Sequence, residues 1–268
     1  MIFDFGPLLD HLPPWLMVLF RFTGIFILSP LLGSATVPRL VKAILAVSLS
    51  LCVYPTLLAP HLGSAAWIGA IIDQGLSLWT MIPVVAVELL IGFTVGYAAS
   101  LPLVGLQLGG RMIDQQMGLG LGGVFNPELE SQSGVVGEFL FILALAIFAI
   151  LGGHERMFAV LVESFHHIPL GGFDGFGGLV HLVIGLLTIA FELAFRIAAP
   201  LLCLLFLQAL ALGFIMRTVP QMNILSVGFP VRILVGAGFL AIFVQIAGRE
   251  FVEVLEEVFG MLSLFLNK

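Results

Sequence analysis

The sequence predicts an all-α, integral membrane-type polytopic protein made of kinked helical hairpins. First, 60% of its residues are hydrophobic and only 10% are charged, where a soluble domain carries about 25% charged residues; the mean hydropathy is +1.18. Second, apolar segments near the ~20 residues that cross a bilayer follow one another along the chain, and proline, glycine or a charge interrupts most of them. Third, Arg21, Glu88, Glu192, Arg196 and Arg232 lie inside those segments. A mid-helix charge costs at least ~2.5 kcal/mol in lipid, so five such residues fit helices packed against other protein better than helices bathed in hydrocarbon.

Taken in order, the first segment spans about residues 12–32. Pro13 and Pro14 suit its first turn, where the backbone N–H groups lack partners anyway. Arg21 near its middle requires a carboxylate, a cluster of carbonyls or a polar cavity. Arg39 and Lys42 open the second segment, about residues 40–58, and mark an aqueous or headgroup-level turn. The third, about residues 67–108, is too long for one straight span and is divided at Pro83 and Pro102. Within it Glu88 wants a partner, and Gly92 and Gly96 have the four-residue spacing that lets helices approach closely. Segment four covers about residues 135–151, with Glu138 suited to the dipole of a first turn. A short fifth covers about residues 157–165. The sixth, about residues 179–216, is split by Pro200, and Glu192 and Arg196 on one helix face are expected to pair. The seventh, about residues 224–247, is interrupted by Gly228, Pro230 and Arg232. From residue 249 onward Phe251, Val254, Leu255, Val258, Leu262 and Phe265 share a face opposite Glu250, Glu253, Glu256 and Glu257. This is an amphipathic helix at an aqueous rim, expected to be dispensable for assembly.

The stretch 105–127 stands apart. It combines many glycines with Gln115, Gln116, Met112, Met117 and the opposed charges Arg111 and Asp114. Each glycine costs a helix about 1 kcal/mol relative to Ala, and irregular backbone amid membrane-type sequence persists only where protein or a water-filled cavity surrounds it. A loop lining or closing an internal passage is one reading; a plain glycine-rich connection between buried helices is the other.

Composition also excludes functions. The net charge of −6 and sparse Lys and Arg argue against a nucleic-acid partner, and no basic run offers a site for anionic lipid. The first residues lack the basic region of a cleavable signal peptide. Cys52 and Cys203 have no spacing of a disulfide framework and read as packing residues. His166, His167 and His181 lack ligand spacing, so no metal is expected. The Gly118-to-Gly123 match to Gly-x-Gly-x-x-Gly lacks the flanking strand of a dinucleotide site, no P-loop lysine follows, and no catalytic constellation emerges. No cofactor or enzymatic activity is expected.

The chain resembles the FliR family of flagellar biosynthetic proteins and, more distantly, its counterparts in virulence type III secretion. The resemblance runs through Arg21, Pro30, Pro38, Lys42 and Pro55, then Gln116-Met117-Gly118 with Pro127. It continues in Gly153-His154, Ser164-Phe165 and Pro169-Leu170-Gly171, and ends in Pro220-Gln221-Met222-Asn223 followed by Gly228-Phe229-Pro230. The glycines between Gly118 and Gly123 depart from the family pattern. The resemblance implies a subunit of an export gate in the bacterial inner membrane at the flagellar basal body. Its partners would be FliP-, FliQ- and FlhB-like subunits, membrane lipid and the unfolded flagellar proteins that pass through. It implies a FliP-like part over residues 1–175, a FliQ-like hairpin over 176–248 and the tail helix over 249–268. It also implies a plug contributed by Gly109, Gly110, Met112, Gln115, Gln116, Met117, Gly118, Leu119, Gly120, Gly122 and Gly123. Gly92, Gly96, Pro220, Gln221, Asn223, Gly228, Phe229 and Pro230 are candidates for subunit packing. A secondary transporter with broken helices and an intramembrane enzyme are the alternatives; the lack of an internal repeat and of catalytic residues counts against them.

Overall fold

The computed structural model describes residues 10–34, 37–58, 68–69, 72, 78–119, 134–173, 175–218 and 224–266. Among these residues there are seven α-helices and no strand: α1 Leu12–Leu28, α2 Arg39–Leu57, α3 Leu78–Met117, α4 Val135–Ile150, α5 Gly153–His167, α6 Phe176–Thr218 and α7 Ile224–Leu266. Helices α2, α3, α6 and α7 are each long and apolar enough to cross a membrane, and the pair α4–α5, bent by 63°, adds a fifth candidate. The bend falls at Gly152, whose φ of +66° is a left-handed conformation that glycine adopts without penalty.

The expected breaks in three helices are corrected. Helix α3 runs without a break through Pro83 and Pro102, α6 through Pro200, and α7 through Gly228, Pro230 and Arg232 and on through residue 249 into the tail. Proline removes one backbone N–H and frees one carbonyl, and in apolar helices neighbouring groups satisfy that carbonyl. The tail is therefore the end of a 43-residue helix. Its apolar face is as expected: Phe251, Leu255, Val258 and Leu262 are all buried, while Glu253, Glu256 and Glu257 are exposed.

The chain forms two compact units, each discontinuous in sequence. One holds Met1–Ser100, Gly152–Leu186 and Glu257–Lys268; the other holds Leu101–Leu151 and Leu187–Glu256. Helices α3, α6 and α7 contribute to both.

In the first unit α1 and α2 form a hairpin, and α1 lies against the first half of α3 with almost no space between backbones. A Cβ on Gly92 would strike the Arg21 carbonyl, and one on Gly24 would strike the Leu89 carbonyl. One on Gly96 would sit 2.7 Å from the Ile25 carbonyl. The expected glycine-mediated approach is thus present, but inside this chain; Gly92 and Gly96 are occupied by α1 and are not free for a second subunit. Met17, Val18, Phe22, Ile25 and Val95 fill the core around this crossing.

The second unit repeats the device. Gly105 and Gly109 on α3 meet Ala190 and Ala194 on α6, with a Cβ at either glycine 2.7–2.8 Å from the facing carbonyl. Both pairs are four apart, so one small-residue stripe lies along another. Gly110 faces the other way, toward Gly137 on α4, where an added Cβ would stand 2.6 Å from the Gly137 Cα.

Candidate functional site

Among the described residues, a wholly buried ion pair and its partners lie in the first unit. Arg21 and Glu88 are wholly buried, and Arg21 Nε donates to Glu88 Oε2 at 2.5 Å. Arg21 Nη1 also donates to Ser164 Oγ at 3.1 Å, and Nη2 to the Ile168 carbonyl at 3.4 Å. The guanidinium carbon lies 4.2 Å from the centre of the Phe165 ring, a cation–π placement. Glu88 Oε1 accepts from the Gly171 N–H at 2.9 Å. That contact uses a turn in which Gly171 has φ of +75°, so glycine is needed there. Arg21 finds the carboxylate and carbonyl it was expected to require, and Glu88 its partner. The atoms named are spent on one another: this cluster fixes α1, α3, α5 and the turn after α5.

The second unit contains the glycine-rich stretch. Gly105 to Met117 is the last part of α3, which corrects the loop reading for those residues. The glycines are there to let helices touch, and the packing gained outweighs their low helix propensity. Gly118, with φ of +81°, ends the helix. Gly109 and Gly110 are buried at helix contacts, and Met117 is buried with its side chain over Gly236 of α7. Met112 and Gln116 are half-buried and Gln115 is exposed. Gly120, Gly122 and Gly123 lie outside the described residues.

Asp114 has a role the sequence did not disclose. It is buried, and its carboxylate accepts the N–H groups of Val136 at 3.0 Å and Gly137 at 2.9 Å. It thus caps α4 from another helix, placing negative charge where the first turn's amides point. Gly134 must be glycine, because a Cβ there would overlap the Asp114 carboxylate. Arg111 is exposed and is not its partner. The main-chain carbonyl of Asp114 also accepts from Leu119 N at 3.1 Å.

The remaining charges behave differently. Glu192 and Arg196 pair at 2.9 Å as expected, but they are exposed rather than buried. Arg196 binds Glu250 as well, at 2.8 Å, a link between α6 and α7 with 54 residues between its ends. Arg232, inside an apolar segment and so in need of a carboxylate, a cluster of carbonyls or a water-filled space, is half-buried and makes no hydrogen bond or ion pair among the described residues. Gly228 is buried, and Phe229 and Pro230 are exposed. Pro220, Gln221 and Asn223 lie outside the described residues. No group of three His, Cys, Asp or Glu side chains converges among the described residues.

Span-length apolar helices, two zones of glycine-mediated contact and a fully buried ion pair define a polytopic helical membrane protein whose polar interior serves packing. Residues 12–258 match the model for bacterial export proteins, family 1, and the chain belongs to that family. It is 29% identical to the flagellar biosynthetic protein FliR of Bacillus subtilis (strain 168), over 85% of each chain. It is 27% identical to FliR of Escherichia coli (strain K12), over 93% of this chain and 91% of that one. It is 25% identical to the Yop proteins translocation protein T of Yersinia pestis, over 85% and 84% respectively.

Proposed function

We propose that this chain is a subunit of a flagellar type III export apparatus, lodged in the inner membrane at the basal body. There it builds and plugs the channel for unfolded flagellar proteins together with FliP-, FliQ- and FlhB-like subunits. The observation that carries the assembly is on α6. Its most apolar window has a mean hydropathy of 2.3, yet only 11% of it is buried within the chain, and the same helix exposes Glu192 and Arg196, the latter tied to Glu250 of α7. A largely uncovered apolar helix that also exposes an ion pair suits neighbouring protein or a watery passage better than hydrocarbon. In this proposal residues 1–175 form the FliP-like part, 176–248 the FliQ-like hairpin and 249–268 the terminal segment.

The plug is assigned to the end of α3 together with residues 118–123. Met112 and Met117 are flexible, polarisable side chains that fill irregular gaps, and Gln115 and Gln116 can bond to neighbours without adding charge. The test is deletion of Gln115 to Gly120 in a complex co-expressed with its partners, read by ion conductance and small-solute leakage. Raised leakage with assembly preserved is the expected result. Unchanged leakage would make the segment a connector.

A further inference from the structure

We infer that the groove between α1 and α2 is a binding site for one anionic phospholipid. The groove has a volume of about 410 Å³ and is walled by Leu19, Phe26 and Ile27 of α1 and Val47 of α2, with Arg39 and Lys42 at one end and no carboxylate among its lining residues. Val47 lies eight residues beyond Arg39 and five beyond Lys42, so at ~1.5 Å per residue the apolar part reaches about 12 Å from the first cation and about 7 Å from the second. This is a charged mouth on an apolar trough long enough for the upper part of an acyl chain, within a hairpin whose α2 is itself long and apolar enough to cross a bilayer.

The cations are set for an anion. Lys42 Nζ donates to the carbonyls of Gly33 and Ser34, both at 2.9 Å. That holds the ammonium at the turn end while leaving one N–H and the positive charge without a carboxylate. Arg39 is exposed and has no ion-pair partner among the described residues. Both stand in the first turn of α2, which has no acidic residue and no side-chain cap, so the helix dipole adds to their field. The sequence has no basic run of the kind that usually marks lipid recognition; the hairpin concentrates two cations at one mouth instead. Juxtamembrane cations and basic pockets between helices recognise phosphate headgroups in this way. The inference concerns a surface separate from the proposed plug and does not depend on it.

The experiment is native mass spectrometry of the full-length chain in mild detergent, titrated with dioleoyl-phosphatidylglycerol or dioleoyl-phosphatidylcholine. Phosphatidylglycerol should bind about tenfold more tightly, since two cations meet its phosphate and Lys42 gives part of its hydrogen bonding to carbonyls. Arg39→Gln with Lys42→Gln should bring the two lipids level. Ala43→Trp, which keeps both charges and narrows the trough, should weaken both lipids, and circular dichroism should show unchanged helix content in each variant. Equal binding of the two lipids by the unaltered chain would overturn the inference, as would a double variant that keeps its preference. Displacement of the lipid by millimolar inorganic phosphate would also overturn it, by showing a phosphate site without an acyl component.

Discussion

At the scale of single residues, burial separates the charges that hold the fold from those that do not. Arg21 and Glu88 have no access to water, so neither can lose its partner cheaply. Arg21→Met should cost about 3–5 kcal/mol, since it strands a buried carboxylate. Arg21→Met combined with Glu88→Met should recover most of that loss. It should not recover all of it, because the Gly171 N–H and the Ile168 carbonyl remain unpaired at roughly 1 kcal/mol or more each. Denaturant unfolding of the three variants in detergent checks this; additive losses in the double variant would show the two side chains to act independently. The need of Arg21 for a partner was legible from its position in an apolar segment. The identity of the partner was not, since Glu88 is 67 residues away and Ser164 is 143, and no local pattern encodes such distances.

At the scale of elements, the placement of helices was legible and their continuity was not. Periodicity and hydropathy placed an apolar segment on each of the seven described helices, but divided α3 and α6 and set the tail apart from α7. Pro102, Pro200 and Pro230 were read as breaks because proline breaks soluble helices; in long apolar helices the surrounding protein compensates. Glycine was misjudged for a related reason. The cost of Gly105, Gly109 and Gly110 to an isolated helix is real, but it is offset by the backbone contact each one permits with α6 or α4. Gly109 and Gly238 make a discriminating pair. Gly109→Ala should destabilise by about 1–3 kcal/mol through overpacking against Ala194. Gly238, with nothing within 4 Å of an added Cβ, should tolerate Ala and gain up to ~1 kcal/mol of helix stability. Thermal unfolding of both variants in one detergent reads the sign directly; two losses of equal size would remove the packing explanation. Asp114 as the cap of α4 was illegible, since its amide partners lie 22 and 23 residues on and the nearer Arg111 offered a simpler pairing.

At the scale of the whole molecule, the chain does not build its units in order. The first unit is completed by the last residues of the chain. There Phe265 meets Phe173 with ring centres 6.3 Å apart and lies over Gly178. This reverses the expectation that the tail is dispensable. Truncation after Gly248 removes Phe251, Leu255, Val258 and Leu262, all of which are buried. At ~1.5–3 kcal/mol for each fully buried apolar side chain, the loss approaches the total stability of many domains. The truncated chain should aggregate or be degraded before it meets any partner, visible as loss of the monodisperse peak in detergent size exclusion. A well-behaved truncated chain would return the tail to the periphery.

The Arg21–Glu88 pair has a consequence in time as well as in space. The cation leaves the ribosome 67 residues ahead of the anion, and at ~5–20 residues per second that interval lasts several seconds. Throughout it α1 holds a charge that hydrocarbon penalises by at least ~2.5 kcal/mol. Its other contacts, Ser164 and Ile168, emerge later still. Helix α1 can therefore reach its buried pairing only once α3 has arrived, so the order of synthesis is not the order of settling.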